Sequence, residues 1–388
     1  MGDGELFKVL HRKNFLFCKS MKTWLRWTGH HWEIDHLSSA EAAVEDVAKA
    51  YEKEAFRTRK QLSRVDIEEE KSLEKLIRRL ERRAYKLRSH FGRTACLKCA
   101  RTSADPMAIE GVELDRKPWL LACTNGVMDF KSVVFRPGRQ DDHILKASPL
   151  EWQGFDADKD IWIKAVTEIM GGDVLMVEFL QRLFGMAIVG KVVENVFPVL
   201  TGFRGENGKR TIIRAVSYVL GSMAGPIPSS CKLVAGRRQN SLNPSLDVMK
   251  LKGLKVAYAS EAVDYAKVSE VRVNLMTSKD SLTGRWPNSK SPITFEPTHT
   301  LFLLTNHRLC VGSKDKTFRS RMINIPFTVR FLKNREPKVK NEKPADMYLD
   351  EKLKEQAPGI LAWLVEGCLL WQKNGLQIPI KVKRASEE

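Results

Sequence analysis

The segment around Lys209 combines residue types whose spacing suits phosphate binding. Its sequence, LTGFRGENGKRTIIRAV, follows a short apolar run and precedes an amphipathic helical pattern. Glycines allow backbone N–H groups to converge on phosphates, a helix N-terminus adds positive potential, and a lysine reaches the β- and γ-oxygens. We therefore predict a nucleotide site formed by Gly205, Glu206, Asn207, Gly208, Lys209, Arg210 and Thr211.

Two positions depart from the standard phosphate-loop pattern GxxxxGK[ST]. Phe203 stands where the first glycine is expected, and Gly202 lies one position earlier. Arg210 stands where a hydroxyl group would bind Mg²⁺. Either the loop shifts so that Thr211 reaches the metal, or water replaces that ligand. A glycine-rich turn without a nucleotide is the alternative interpretation.

Further polar groups flank later apolar runs in the order that a nucleotide hydrolase needs. Glu261 follows LKVAYAS, where a carboxylate can orient and deprotonate the attacking water while a metal neutralises the phosphates, although Ser260 stands where the usual metal-binding Asp is expected. Asn306 follows TLFLLT, where an amide can position that water. Arg319 and Arg321 precede MINIP, where an arginine can stabilise charge on a neighbouring subunit's nucleotide. Taken singly, each of these residues is also typical of a surface loop.

Four continuously apolar runs predict the sheet that would position these groups. They are VFPVLT (196–201), LKVAYA (254–259), TLFLLT (300–305) and MINIP (322–326). Strands that are apolar on both faces are typical of a parallel sheet covered by helices, so an α/β fold is predicted for this part of the chain.

The remaining segments alternate between strand and helix patterns. Trp24, Trp27 and Trp32 around a Thr-Gly turn predict two short strands, whose aromatic residues are more typical of a core than of base stacking. Residues 39–93 and 160–187 have helical spacing, and residues 117–150 are rich in strand signals. The predicted domains are an N-terminal α+β domain over 1–150, a helical collar over 151–190, a P-loop core over 191–335, and a helical C-terminal unit with a basic tail over 336–388.

One predicted helix is strongly basic on one side. Within SLEKLIRRLERRAYKLRSHFG, leucines and an isoleucine recur at helical spacing, and Gly92 is expected to end the helix. The opposite face carries Lys75, Arg78, Arg79, Arg82, Arg83 and Arg88. A solvated face is the default interpretation of such a run, and a surface that follows a phosphate backbone is the alternative.

The net charge of the chain indicates which kind of molecule it binds. The chain has 65 Lys and Arg against 47 Asp and Glu, a formal net charge of +18, which favours a nucleic acid. No stretch approaches the roughly 18 apolar residues of a membrane span, so we expect no membrane partner and a cytoplasmic location. The 7 scattered cysteines predict a reducing compartment. Cys96 and Cys99 lack a second ligand pair, which favours free thiols over a zinc site.

The order of these motifs resembles the superfamily 3 helicases, and within them the phage and plasmid primase-helicase family, which includes poxvirus-type enzymes. The resemblance rests on GENGK (205–209), SE (260–261), TN (305–306) and an arginine before IPF. Upstream, TNGVMDF, SPLEW and EFLQRLFGMAIVG are similar to the family, as are APGILAWLVEGCLLW and GLQIP downstream. The resemblance covers roughly residues 5 to 380.

The resemblance implies an AAA+-like P-loop ATPase that uses ATP and Mg²⁺ at the subunit interfaces of a homo-hexameric ring. By family analogy Lys209 binds phosphate, Glu261 is the catalytic carboxylate and Asn306 senses the γ-phosphate. Arg321 is the finger arginine, with Arg319 as the fallback. Thr211 and Glu261 are the expected Mg²⁺ ligands.

The resemblance also implies a DNA-gripping β-hairpin between Glu261 and Asn306. MTSKDSLTGRWPNSKSPITFEP fits that place, and it carries Lys279, Arg285 and Lys290 as candidate DNA contacts.

The expected function is that of an ATP-dependent replicative DNA helicase of a phage, plasmid or other mobile element. It would translocate on single-stranded DNA as a ring, with 3′–5′ polarity inferred from the family alone, and act on forked DNA. No primase domain is recognised, so we expect a stand-alone helicase or a fragment, with a primase among the candidate partners. The alternative, motivated by Arg210, is an origin-binding or loading ring with little unwinding activity. A motor directed at RNA is a weaker reading.

Overall fold

The computed structural model describes residues 2–64, 66–202, 205–227, 246–260, 270–285, 292–307, 316–333 and 336–387. The chain divides into two compact units: residues 1–116 with 138–145, and residues 117–137 with 146–388. The predicted N-terminal domain, 1–150, is therefore shared between the two units. The four-part division made from the sequence is finer than this one and stays a prediction.

The first unit pairs a small sheet with a group of helices. Its elements are α1 (Asp3–His11), β1 (Phe15–Cys18), β2 (Thr23–Trp27), β3 (Trp32–Ile34), α2 (Ser39–Ala42), α3 (Val44–Arg59), α4 (Ile67–Leu87), α5 (His90–Thr102) and β4 (Ala108–Ile109). The sheet order is β3-β2-β1-β4, and the β2–β3 hairpin confirms the strand pair predicted around the tryptophans. Trp32 is buried beside Trp27, as expected of core aromatic residues.

The long helix of this unit ends earlier than predicted. Asp66 caps the N-terminus of α4, whose chain becomes non-helical after Leu87, and Ser89 caps α5 by accepting a hydrogen bond from Gly92 N at 3.1 Å. The prediction that Gly92 ends the helix is therefore wrong, because Gly92 lies in the first turn of α5. A Cβ atom at Gly92 would lie 2.1 Å from the Lys86 carbonyl oxygen, so the glycine allows the two helices to meet closely.

The second unit is built on a five-stranded sheet. Its elements before the sheet are β5 (Leu120–Cys123), β6 (Gly126–Asp129), β7 (Val134–Arg136), α6 (Asp160–Ile169) and α7 (Val174–Ala187). The sheet region comprises β8 (Phe197–Thr201), α8 (Lys209–Leu220), β9 (Ala224–Pro226), α9 (Leu246–Leu251), β10 (Val256–Ser260), α10 (Glu270–Thr277), β11 (Leu282–Gly284), β12 (Ile293–Phe295), β13 (Thr300–Thr305), α11 (Lys316–Arg321) and β14 (Met322–Pro326). After it come β15 (Arg330–Leu332), β16 (Glu342–Pro344), α12 (Leu349–Glu355), α13 (Ala357–Asn374) and α14 (Ile380–Glu387).

The four apolar runs all form strands of this parallel sheet, whose order is β14-β8-β13-β10-β9. Alternate residues enter two different cores. Leu200, Phe302 and Ile325 join the core that contains α7, α8 and α13, whereas Val199 and Leu303 join a second core on the other face. The strands are continuously apolar because both of their faces are covered, as predicted.

Helices α7 and α13 pack together against one face of the sheet. Phe184 of α7 stacks on Phe302 of β13 with ring centroids 4.9 Å apart. A Cβ atom at Gly185 would lie 2.1 Å from the Cys368 nitrogen, so the backbones of the two helices approach closely only because Gly185 has no side chain. Among the described residues, no helix is both long and apolar enough to cross a membrane.

Candidate functional site

The predicted phosphate loop connects the carboxyl end of a central strand to the N-terminus of a helix. β8 is buried along its whole length and lies between β13 and β14, and Lys209 is the first residue of α8. In a parallel α/β sheet, ligands bind outside the carboxyl ends of the strands. The loop therefore lies at the edge of the sheet where a bound anion would also meet the N-terminus of α8.

The Lys209 ammonium group is held by three oxygen atoms at this edge. Its Nζ donates to Gly202 O at 2.8 Å, to Thr305 O at 2.7 Å and to Asn306 Oδ1 at 2.9 Å. The residue is only 6% exposed. The structure thus brings together Lys209 and Asn306, two predicted site residues that lie 97 positions apart in the sequence.

Burial changes the acidity of this group. Desolvation, together with the nearby Arg210 guanidinium, lowers the pKa of Lys209 from 10.5 to about 8. An ammonium ion in such a place is poorly compensated by solvent, so a negatively charged ligand would find it strongly attractive.

Two glycines allow the loop to take this shape. Gly208 has a φ of +79°, and a Cβ atom there would lie 2.6 Å from Ile169 Cγ1 of α6. At Gly202 a Cβ atom would lie 2.9 Å from both the Asn207 side chain and the Lys209 ammonium. Gly202 is the residue displaced by one position from the standard pattern, and it leaves the space that Lys209 Nζ occupies.

Residues 329–331, which no sequence motif predicted, contact the phosphate loop at Glu206 and Asn207. Asn207 Nδ2 donates to Val329 O at 3.2 Å, and Phe331 N donates to Glu206 O at 2.8 Å. Arg330 lies 3.4 Å from the Glu206 carboxylate. These residues follow β14, and no local motif marks them, because their role arises only when the sheet brings β14 beside β8.

The first turn of α8 carries the two residues predicted to affect the metal. Arg210 is exposed and Thr211 is partly exposed. Glu261, the other predicted Mg²⁺ ligand and catalytic carboxylate, lies outside the described residues. It directly follows Ser260, the last residue of β10, which pairs with Leu304 of β13. Within the described part of the chain, no group of three or more His, Cys, Asp or Glu is placed to hold a metal ion.

The two finger candidates lie on α11, before β14. Arg319 is exposed, whereas Arg321 is partly buried and its Nη1 lies 3.4 Å from Asn274 Oδ1 of α10. The partners of Lys209 come from the loop and from β13, so the structure does not join either arginine to the Lys209 cluster within one subunit.

The predicted DNA-gripping segment contains an antiparallel pair of strands. β11 and β12 pair with Gly284 opposite Ile293, and Thr283 and Thr294 share a hydrogen bond of 2.9 Å. Lys279 is exposed between α10 and β11, and Arg285 is partly buried directly after β11. Lys290 lies outside the described residues.

The CLKC pair lies within α5. Cys96 is buried and Cys99 is exposed. Burial raises the pKa of the Cys96 thiol to about 12, which disfavours the thiolate that a metal site requires.

Comparison with known proteins gives three relevant matches. Residues 4–171 match the protein family described as "D5 N terminal like". A candidate helicase of Acanthamoeba polyphaga mimivirus is 26% identical over 402 residues, which cover 98% of this chain and 41% of that protein. A candidate helicase of Invertebrate iridescent virus 3 is 23% identical over 233 residues, covering 56% of this chain and 24% of that protein. The chain therefore spans about two fifths of the length of the mimivirus relative.

One solved structure shares the fold over almost the whole chain. The apo structure of the NrS-1 C-terminal region aligns with a TM-score of 0.52 at 11% identity, covering 99% of this chain and 74% of that one. At this identity the likeness concerns the fold alone.

Proposed function

We propose that the chain is a phage- or virus-type primase-helicase relative, as its match over residues 4–171 and its mimivirus relative suggest, and that its second unit is an AAA+-like, ATP-driven DNA motor. The proposal rests on one observation above all: the buried Lys209 ammonium and the Asn306 amide are in contact at the carboxyl ends of adjacent parallel strands. Asn306 directly follows β13, and the Lys209 side chain reaches back from the first turn of α8 to the end of β8, so the sheet and the loop together fix the distance between them.

The residues around Lys209 suit a nucleotide triphosphate. The side chain is buried and positively charged below pH 8, and among the described residues it bonds to neutral oxygen atoms, with no carboxylate there to compete with an incoming phosphate. The residues from Gly205 to Thr211 lie around the N-terminus of α8, where backbone N–H groups are free of intrahelical partners. Bound Mg²⁺ would supply neutralising charge for phosphoryl transfer to water.

Each candidate residue has a defined task in the proposed motor. Lys209 binds phosphate, and Asn306 carries an amide that can orient water or report the γ-phosphate to β13. Glu261 and Thr211 are the proposed metal ligands, with Glu261 also activating the water. An arginine of α11 completes the site of a neighbouring subunit in a hexameric ring, and Arg321 is the first choice. Lys279, Arg285 and Lys290 are the proposed DNA contacts, and 3′–5′ translocation as a replicative helicase is the proposed outcome.

The test is ATP hydrolysis with and without single-stranded DNA, for the wild type and for Lys209→Ala and Asn306→Ala. We expect DNA to stimulate hydrolysis in the wild type. Loss of the Lys209 ammonium should abolish turnover, and loss of the Asn306 amide should lower kcat by about 10²-fold or more, as for other groups that orient a reacting water or stabilise developing charge. Absence of DNA-stimulated hydrolysis in a well-folded wild type would overturn the proposal.

The second candidate function is a nucleotide-dependent DNA-binding or loading ring with little unwinding. Arg210 favours it, because a cation occupies the position of the usual metal-binding hydroxyl group and disfavours the adjacent protonated lysine. The two functions are separated by measuring unwinding of a forked duplex beside ATP turnover. Unwinding that rises in proportion to turnover supports the helicase, whereas nucleotide-dependent DNA binding without strand separation supports the loading ring.

A further inference from the structure

Helix α4 of the first unit carries a continuous stripe of exposed cations. The stripe, called here the basic stripe, consists of Lys71, Lys75, Arg79, Arg82 and Lys86, all of which are exposed. Their spacings of four, four, three and four residues place them within an arc of roughly 80° on an ideal helix, over a length of about 22 Å. No acidic residue falls within this arc between the first and last members.

The helix is oriented so that this stripe faces away from the core. Ile77, Ala84 and Leu87 are buried on the other side of α4, where the helix packs against α3 and α5. The stripe is therefore a surface feature fixed by the amphipathic packing of the helix.

The other arginines of this helix and its C-terminal cap have acidic partners, whereas the stripe has none among the described residues. Arg78 pairs with Glu74 at 3.3 Å and Arg83 with Asp3 at 2.5 Å, and Arg88 bonds to both Glu45 and Glu52.

Glu81 of the same helix is engaged by Arg59 at 2.6 Å. None of the five stripe cations forms an ion pair with another residue in the described part of the chain.

The lack of partners has an energetic consequence. Like charges at i,i+4 on a helix destabilise it by about 0.2–0.5 kcal/mol per pair. A polyanion would remove this repulsion and release counterions as it binds. A string of cations about 5–6 Å apart suits a phosphate backbone better than a single acidic side chain.

Two exposed aromatic residues favour single-stranded over duplex nucleic acid as the polyanion. Tyr85 lies beside the stripe at the C-terminal end of α4 and is 79% exposed, and Phe91 in the first turn of α5 is 84% exposed. Phe91 meets the His90 ring edge-on, with centroids 5.9 Å apart. Flat side chains beside a cationic track are the arrangement on which unpaired bases stack, and bases inside a duplex cannot do so.

We infer that the basic stripe, with Tyr85 and Phe91, is a contact site for single-stranded DNA in the first unit, separate from the nucleotide site of the second. The cations follow the phosphates, and the two rings stack on bases without reading their sequence. This site does not depend on ATP or on the proposed motor.

The test measures how salt weakens DNA binding by the full chain without nucleotide. The probe is a labelled oligothymidine about 20 nucleotides long, which exceeds the roughly 4–16-nucleotide sites of typical strand-binding modules. The stripe variant combines Lys75→Gln, Arg79→Gln and Arg82→Gln. Its plot of log affinity against log salt should be less steep by about 2, since each lost phosphate contact removes about 0.7 from the slope, and its affinity should fall about tenfold or more.

The control variant has the same change in charge at scattered exposed lysines of the same unit. Lys13→Gln, Lys22→Gln and Lys53→Gln together should change the salt slope by less than about 0.7, the contribution of a single phosphate contact. Equal losses in the two variants would overturn the inference, because net charge alone would then explain binding.

A further pair of measurements tests the strand preference and separates this site from the motor. Tyr85→Ala with Phe91→Ala should weaken oligothymidine binding by about 30-fold or more and leave duplex binding unchanged. Tighter binding of duplex by the wild type would overturn the single-strand assignment.

Lys209→Ala should keep the wild-type salt slope, and the stripe variant should keep the DNA-independent ATPase rate. If the protein proves to lack ATPase activity, the salt slopes still test the basic stripe. If the stripe variant binds DNA like the wild type, the ATPase measurements still test the motor.

Discussion

Lys209 is the residue on which the candidate nucleotide site depends. Its ammonium group is desolvated, yet its three hydrogen bonds go to two backbone carbonyls and one amide oxygen, none of which carries a charge. A phosphate must replace at least part of this set, so the three oxygens hold the group in place until a stronger partner arrives. In the proposed motor, a bound phosphate would compete with the Asn306 amide for Lys209, and β13 would sense occupancy in this way.

The lowered pKa of Lys209 predicts a pH dependence of ATP affinity. Below about pH 8 the free protein already carries the ammonium, so affinity should be nearly constant. Above pH 8 the free site loses its proton and binding must restore it, so affinity should fall by up to about tenfold per pH unit. Equilibrium binding of a fluorescent ATP analogue between about pH 7 and pH 9.5 measures this effect.

The matched control is Lys209→Arg, whose guanidinium remains protonated across this range. Its affinity should be lower but independent of pH. A wild-type affinity that stays constant up to pH 9.5 would contradict the assignment of Lys209 as the phosphate-binding cation.

At the scale of elements, the central sheet is closed on one side by the C-terminal helix. β14 is an edge strand, and α14 lies along it. Asn324 N donates to Ser386 Oγ at 2.9 Å and Asn324 Nδ2 donates to Ala385 O at 2.8 Å. Covering an edge strand protects its unpaired backbone groups from other chains. The same Asn324 side chain bonds to Thr201 at the end of β8, so the cover also supports the strand that leads into the phosphate loop.

Val382 should be the main apolar anchor of this cover. It is 0% exposed, whereas Ile380, two residues earlier on α14, is 67% exposed. We expect Val382→Ala to lower the free energy of unfolding by about 1–3 kcal/mol through lost burial and a residual cavity. Urea denaturation measures the change. Ile380→Ala serves as the control and should shift stability by less than ~0.5 kcal/mol; equal effects of the two substitutions would contradict the anchoring role.

At the scale of the whole molecule, the described residues around Lys209 include no finger arginine, so we expect a neighbouring subunit to supply one. The Lys209 cluster contains no arginine from α11, and Arg319 is exposed. A head-to-tail ring would bring α11 of one subunit towards the nucleotide of the next, because heterologous interfaces repeat the same contact around the assembly.

Mixing two inactive variants tests this arrangement. Lys209→Ala lacks the phosphate-binding cation, and Arg321→Ala lacks the finger. In randomly mixed rings about a quarter of the interfaces should combine an intact lysine with an intact arginine, so ATPase activity should partly return. Arg319→Ala is mixed in parallel and identifies the finger if the first pair stays inactive. No recovery with either arginine variant, or a specific activity that does not rise with protein concentration, would contradict a site shared between subunits.

The sequence by itself determined the local elements of the sheet and the chemistry of the loop. The four apolar runs are strands because Leu, Ile, Val and Phe residues without polar alternation must be covered on both faces. Lys209 follows two residues, Asn207 and Gly208, whose types already announce a phosphate loop. Asn306 could be predicted as a site residue because it directly ends an apolar run and because the motif order resembles a known family.

Only the tertiary structure decided which distant residues meet. Arg330 and Val329 support the loop because β14 pairs with β8, and strand order is a consequence of packing that no local pattern encodes. The end of α4 was misplaced because Gly92 is needed for a close backbone approach, not for a helix stop. The basic face of α4 looked uniform in the sequence, but ion pairs across the fold neutralise Arg83 and Arg88 and leave Lys75, Arg79 and Arg82 without partners in the described chain. The chemical type of a side chain can be taken directly from the sequence. Its hydrogen-bond and ion-pair partners depend on contacts between residues that are distant in the sequence.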